Sequence, residues 1–267
     1  MRAPGKDVMP PRAPRGADAF AAWIASLEAR HLADLKFPEV RRGLQALSSL
    51  YVERRRRLAD GAALDGAGKR AAFALFYAPI HFLVTREIVR ALEAARPGPR
   101  TLVDLGCGTG AAGAAWALQV RGRCRLLGID RNGWAIEEAR RTFAFFSLEA
   151  RASRGSLLET PLPGRGGAVL LAFAANELED ADRDRLLGRV LEAGRRGAAV
   201  LVIEPMARRP FRWFAAWQAA FAAEGGRADH WRFPAALPGT LALLDRAAGL
   251  DHRELLARSL WLPAGRR

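Results

Sequence analysis

The chain has 267 residues, half of them apolar and about a quarter charged, enough for one large domain or one domain with a small appendage. Its two cysteines, Cys107 and Cys124, and four scattered histidines exclude a disulfide scaffold and a four-thiolate zinc site, so no metal centre is expected. The net charge of +14 points toward a polyanion, yet only Lys6, Lys36 and Lys69 are lysines; an arginine excess beside heavy alanine and glycine usage is also what a GC-rich coding sequence produces.

Residues 1–16 are rich in proline, glycine and arginine and read as a disordered basic arm. They lack the apolar core of a secretory signal, and no apolar run nears the ~20 residues of a membrane span, so a cytoplasmic protein without membrane contact is expected. Residues 17–95 form a helical segment. Its first helix, about Asp18 to Leu35, spaces Phe20, Trp23, Ile24 and Leu27 by three or four residues. The second follows Pro38, with Val40, Leu44, Leu47, Leu50 and Tyr51 on one face, and ends near Leu58. Arg54 to Arg57 form the densest basic run, either the solvated end of that helix or a phosphate-binding patch, which makes RNA a candidate partner. The third helix, about Lys69 to Ala95, carries Phe73, Phe76, Tyr77, Ile80, Leu83 and Val84, and Pro79 should kink it.

After Pro97-Gly98-Pro99 the periodicity changes. Short apolar runs at Thr101–Leu105, Arg125–Ile129, about Ala150–Gly155, Ala168–Ala174 and Ala198–Ile203 alternate with helical stretches, the signature of a parallel sheet. A helix from about Pro210 to Glu224 follows, then strands at Arg227–Phe233 and Glu254–Leu262. Residues 96–267 are therefore expected to form a Rossmann-like α/β domain: a seven-stranded, mostly parallel sheet with helices on both faces.

The first strand runs into Val103-Asp104-Leu105-Gly106-Cys107-Gly108-Thr109-Gly110. Two readings compete. Gly108 to Gly113 fits G-x-G-x-x-G, the pyrophosphate loop of dinucleotide enzymes. The fuller pattern Asp104-x-Gly106-x-Gly108-x-Gly110 resembles the nucleotide-binding motif of class I S-adenosylmethionine-dependent methyltransferases. That resemblance spans roughly residues 69–262. It implies S-adenosylmethionine as cofactor, with Gly106, Cys107, Gly108 and Gly110 along it and Asp104 reaching its ammonium end directly or through water. Asp130, ending the second strand, would accept both ribose hydroxyls or cap the next helix, and Arg131 joins it in the cofactor set. Gly155-Ser156, ahead of Pro161-Leu162-Pro163, is similar to the family's adenine-contacting stretch, with Ser156 where aspartate is usual; a turn serine is the other reading.

By the same resemblance the transferred methyl group faces the end of the fourth strand, Phe173 to Asp180, and so Asn176 and Glu177. The Asn/Asp-Pro-Pro-Tyr/Phe motif of amino-group methyltransferases is absent, as is a cysteine on strands four or five. Candidate general bases are Glu177, His81 and, more weakly, His230. Glu204 could touch substrate or only cap the sheet, and Trp213, Trp217 and Trp231 either cover the cleft or pack. Two other classes remain open: a nicotinamide-dependent oxidoreductase, which shares Asp130 but wants no carboxylate at Asp104, and a non-catalytic RNA- or ribosome-binding protein on the same fold. The helical segment, the Asn-Glu-Leu strand end and Ile203-Glu204-Pro205 bear a faint similarity to a ribosome-associated methyltransferase-like family. The methyl acceptor, a small molecule or RNA, is not written in the motifs.

Overall fold

A computed structural model describes residues 17–53, 64–206 and 212–265. The basic arm, the Arg54–Arg57 run and the start proposed for a helix at Pro210 lie outside the described residues, as do the side chains of Leu50 and Tyr51.

Four helical pieces come first: α1 (Ala17–His31), α2 (Phe37–Glu53), α3 (Ala67–Ala72) and α4 (Ala78–Ala91), the last two joined by a π-helical turn at Phe73–Tyr77. The expected faces are the buried ones. Phe20, Trp23, Ile24 and Leu27 of α1, and Val40, Leu44 and Leu47 of α2, are all inside. Trp23 packs on Phe82 of α4, with ring centroids 5.5 Å apart. The kink expected at Pro79 takes the form of the π turn, in which the Ala78 amide donates to the Phe73 carbonyl five residues back. Proline has no amide to close the α-helical ladder, and a widened turn accommodates the loss. The continuous helical run 67–91 is long and apolar enough to cross a membrane by composition, but two thirds of its apolar 18-residue stretch is buried inside the protein.

The sheet follows the expected alternation: β1 (Thr101–Leu105), α5 (Ala111–Ala117), β2 (Arg125–Asp130), α6 (Gly133–Phe145), β3 (Ala150–Arg154), β4 (Gly167–Ala172), α7 (Asp180–Arg195), β5 (Ala199–Pro205), α8 (Arg212–Ala223), β6 (Arg227–Pro234), α9 (Gly239–Ala247) and β7 (Glu254–Leu262). Strand order is β3-β2-β1-β4-β5-β7-β6. Only β7 runs antiparallel to its neighbours β5 and β6. This is the seven-stranded, mostly parallel Rossmann-like sheet read from the sequence. The helix α9 was not anticipated, because Pro238-Gly239 reads as a loop; in the structure Pro238 is its N-cap.

Alternation along the central strands divides the core in two. Leu102, Leu170, Leu201 and Ile203 face the layer holding α1–α6 and α9. Val103, Leu105, Val169, Leu171, Val200 and Val202 face α7 and α8, against Leu186, Val190, Phe214 and Trp217. The N-terminal helices thus share a continuous core with one face of the sheet.

Candidate functional site

The chain builds β1, β2 and β3 outward in one direction, then returns to place β4 on the other side of β1. Such a reversal opens a crevice at the carboxyl ends of the two strands. Here it holds a cavity of about 430 Å³, walled on the helical side by the π turn and α4. That is within the usual size of small-molecule sites.

The glycine loop forms one wall. Gly106, φ 68°, brings the chain so close to the end of β4 that a Cβ on it would lie 2.6 Å from the Ala174 methyl. Gly110, φ 78°, stands behind the loop, where a Cβ would strike the Phe143 ring at 2.5 Å; unlike Gly106, Cys107 and Gly108, it does not line the cavity. Four of the five loop amides are already engaged. Gly106 and Cys107 donate to the Ile129 carbonyl, Gly110 donates to that of Cys107, and Gly108 donates to Asp130 Oδ2 at 2.9 Å. The Cys107 thiol is buried, and burial with the nearby Asp104 and Asp130 carboxylates pushes it well above its ordinary value, which suits packing and not nucleophilic attack.

Asp130 faces the cavity at the end of β2. Its Oδ1 accepts from the Asn132 amide at 2.8 Å, so the carboxylate is oriented by two backbone donors. It is not the helix cap: Asn132 caps α6, accepting from the Ala135 amide at 3.1 Å. Arg131 lines the same wall.

Two expected cofactor residues turn away. Asp104 is fully buried and accepts the Gly113 amide proton at 3.0 Å, behind the loop and outside the cavity lining. The glycine turn aims the strand's side chain at the start of α5, so of the two contacts expected for Asp104, direct or through water, this geometry leaves the one through water. Ser156 is a turn serine. Its hydroxyl accepts from the Leu158 amide at 3.1 Å, and it is Leu157 that reaches the cavity.

Beyond β4 the backbone is unusual. Phe173 has φ 59°, a left-handed conformation rare for a bulky residue. A single 3-10 turn, Ala175–Glu177, follows. Arg183 of α7, itself buried, braces this turn by donating to the Ala175 carbonyl at 3.0 Å and to the Leu178 carbonyl. Asn176 donates its side-chain amide to Glu204 Oε2 at 2.6 Å. Glu204 therefore caps the strand ends from within, as a fully buried carboxyl that burial raises to about 7. Glu177 lines the cavity, and burial, reinforced by Asp130, lifts its carboxyl to about 8 even though Arg131 pulls the other way. His81 lies flat on Phe173, centroids 3.9 Å apart, and burial lowers its imidazole to about 3, so it meets the cavity neutral.

The cleft thus brings together Gly106, Cys107, Gly108, Asp130, Arg131, Asn176, Glu177 and His81. His230, Trp213, Trp217 and Trp231 stand elsewhere: His230 is on the exposed side of β6, and Trp217 belongs to the core under α8. Two contributors went unread in the sequence. Arg183 sits within an ordinary run of helical charges. His252, which also lines the cavity, is paired with Asp245 through a helix end and a loop that no motif marks.

An open α/β sheet with this strand order, with a glycine loop after β1 and a carboxylate after β2, defines the class I methyltransferase architecture. Residues 102–197 match a family model described as a methyltransferase domain. Among curated proteins it is similar to the carboxy-S-adenosyl-L-methionine synthase of Yersinia enterocolitica, 33% identical over 107 residues. That match covers 39% of this chain and 40% of the synthase, so the chain spans about two fifths of the relatives it matches. Among solved structures it resembles the mitomycin 7-O-methyltransferase MmcR, with TM-score 0.53, 17% identity, and coverage of 94% of this chain and 76% of that one. It also resembles the plantazolicin methyltransferase BamL in complex with a triazolic analogue and SAH, with TM-score 0.50, 10% identity, and coverage of 84% and 97%. At these identities the likeness is one of fold.

Proposed function

We propose that this protein binds S-adenosylmethionine across the ends of β1 and β2 and transfers its methyl group to a small-molecule acceptor held under the π turn and α4. The observation that carries the reading is the division of one cavity into two unlike halves. Around β1 and β2 it is polar, with a turned glycine backbone and the oriented Asp130 carboxylate. Beyond the loop, toward β4, β5 and β7, its wall includes Phe76, Tyr77, His81 and Phe173.

The residues fit this cofactor better than a dinucleotide. A pyrophosphate needs free backbone donors at the loop and helix start, whereas the amides of Gly106, Cys107, Gly108 and Gly110 are already bonded. A ribose needs a carboxylate held still, which Asp130 supplies. When bound, the cofactor supplies an electrophilic methyl group on a sulfonium. The chain's own work is to fix the ribose end, to exclude water with the aromatic wall, and to place acceptor beside the Phe173–Glu177 segment. Positioning of this kind accounts for much of the rate in direct displacements.

Calorimetric titration of the protein with S-adenosylmethionine, S-adenosylhomocysteine and NADH tests it. The first two should bind and NADH should not; tight NADH binding alone would move the assignment to an oxidoreductase. The curated relatives suggest a second reading, favoured by Arg131 beside Asp130 on the cavity wall. In it the guanidinium receives the extra carboxylate of a carboxylated cofactor. Native mass spectrometry of protein purified from cells separates the two by the mass of the retained ligand.

A further inference from the structure

On the far side of the cavity from Asp130, α9 and the start of β7 carry a pair of side chains that the reading above leaves without a task. Asp245 is almost fully buried and accepts twice from one residue, from the His252 backbone amide at 2.6 Å and from its ring Nδ1 at 2.5 Å. In the tautomer that donates Nδ1–H to this carboxylate, the ring's lone pair is on Nε2. His252 lines the cavity, and its ring centroid lies 6.2 Å from that of Phe76 in the aromatic wall. The topology puts it on the acceptor's side. β7 runs antiparallel, so its first residues extend past the carboxyl ends of β5 and β4 and away from β1 and β2. A cavity-lining histidine with one ring nitrogen held by a buried carboxylate has the arrangement by which imidazole takes up a proton on its other nitrogen during catalysis.

The surroundings specify the ligand. Glu254, at this end, is paired with Arg232 at 2.7 Å. Glu177 is held toward its neutral form by burial. Among the described residues no lysine lines the cavity, and the one arginine that does, Arg131, stands beside Asp130 on the cofactor wall. Among the described residues the acceptor half therefore offers neither a cation for a phosphate nor a strong anion for an ammonium group. It offers flat aromatic faces, which favour a planar ring.

Resting on the methyltransferase reading, we propose that the acceptor is a neutral aryl hydroxyl compound and that His252, oriented by Asp245, is the catalytic base that receives its hydroxyl proton. The O–H bond breaks and its proton passes to Nε2. An oxygen electron pair forms the bond to the methyl carbon as the carbon–sulfur bond breaks and leaves its pair on sulfur. The products are a methyl ether, a neutral thioether and an imidazolium facing the Asp245 carboxylate, which later releases its proton to water.

The test uses the full chain and 4-nitrophenol, whose visible absorbance reports its own ionisation, with S-adenosylhomocysteine present or absent. Below the probe's own pKa, bound probe should be roughly tenfold more ionised than free probe, a shift of about one pKa unit. His252→Asn keeps a donor toward Asp245 and should restore the ionisation of the free probe without changing the melting temperature. Asp245→Asn should reduce the shift while leaving His252 in place. If the variants fail to fold, nitrogen NMR of wild-type histidines decides instead, since the Nε2 resonance of one neutral, Nδ1-protonated ring should move on adding the probe. No probe binding, an unchanged ionisation in wild type, or the same shift in His252→Asn would overturn the proposal. Loss of S-adenosylhomocysteine binding in calorimetry would instead sink the methyltransferase reading, because the probe without that ligand still reads His252 by itself.

Discussion

The Asp104 carboxylate and the Gly113 amide meet at 3.0 Å, and this contact ties the end of β1 to the first turn of α5 from inside the protein. Gly113 permits it: a Cβ there would lie 2.6 Å from the same carboxylate oxygen. The most recognisable acidic residue of the motif is, in this structure, a brace for the loop.

A first prediction follows for Asp104→Asn. Burial, with Asp130 adding to it, raises the Asp104 carboxyl to about 7, although the Gly113 bond works against the rise. A carboxyl raised on folding costs stability as pH climbs from its ordinary value to its folded one, and the cost persists above. Asparagine can still accept from Gly113 but never ionises. The variant should melt higher than wild type above pH 7, with the gain vanishing near pH 4. Its affinity for S-adenosylmethionine should not change. A large loss of affinity at unchanged stability would restore the direct cofactor role.

Asp130→Ala should behave in the opposite way. It removes the acceptor proposed for the ribose hydroxyls, and charge-assisted hydrogen bonds are each worth about 1.5–3 kcal/mol. Calorimetry should show at least a tenfold loss of S-adenosylmethionine affinity. Because the Gly108 and Asn132 amides also lose their partner, amide exchange at those two positions should quicken. Equal affinity in variant and parent would remove the ribose assignment.

Glu177 makes a prediction about protons. Its carboxyl, raised to about 8 by burial and by Asp130, is mostly protonated at pH 7. A cation arriving in the same cavity favours the ionised form, so S-adenosylmethionine should expel a proton on binding. S-adenosylhomocysteine, which lacks the sulfonium charge, should expel less. Titrations in phosphate and in Tris, whose ionisation enthalpies differ, give the proton count directly. Glu177→Gln should reduce it to nearly zero, and an unchanged count would place the ionising group elsewhere.

The parts of this protein legible in its sequence are those fixed by local pattern. Apolar spacing in α1 and α2, unbroken burial in β4 and the Gly-x-Gly-x-Gly turn each follow from neighbours a few residues apart. The π turn was half legible, since Pro79 announces a disturbance without saying whether the helix bends or widens. What stayed hidden depends on where side chains point once layers have packed. Asp104 and Ser156 occupy expected positions yet spend their oxygens on Gly113 and Leu158. Arg183 and the Asp245–His252 pair gain their roles only when a helix end, a turn and a strand start converge on one cavity. Such convergence leaves no periodicity to read.

The docking of α1 supplies the last prediction. Glu138 of α6 is buried to 2% of its side-chain surface and receives Arg30 on both oxygens at 2.8 Å, His31 at 3.2 Å and Arg141 at 2.6 Å. Burial alone would raise its carboxyl, but the bonds and charges of His31 and Arg30 outweigh it and bring the group down to about 2. A carboxyl lowered on folding stabilises the fold fully above its unfolded value, near pH 4.5, and loses that contribution as pH falls toward 2. With Arg30 about one third exposed, solvent screening reduces the effect to on the order of 1–2 kcal/mol. Denaturant midpoints of wild type should therefore drop between pH 5 and pH 3 by more than those of Glu138→Gln, which is the less stable protein at pH 7. Trp23→Ala serves as the contrast. It empties a buried site against Phe82 and Phe146 and should cost about 3–5 kcal/mol at every pH. If Glu138→Gln instead shows the same acid dependence as wild type, the ion cluster contributes nothing to holding α1 on the sheet domain, and the apolar contacts of Trp23 carry that docking by themselves.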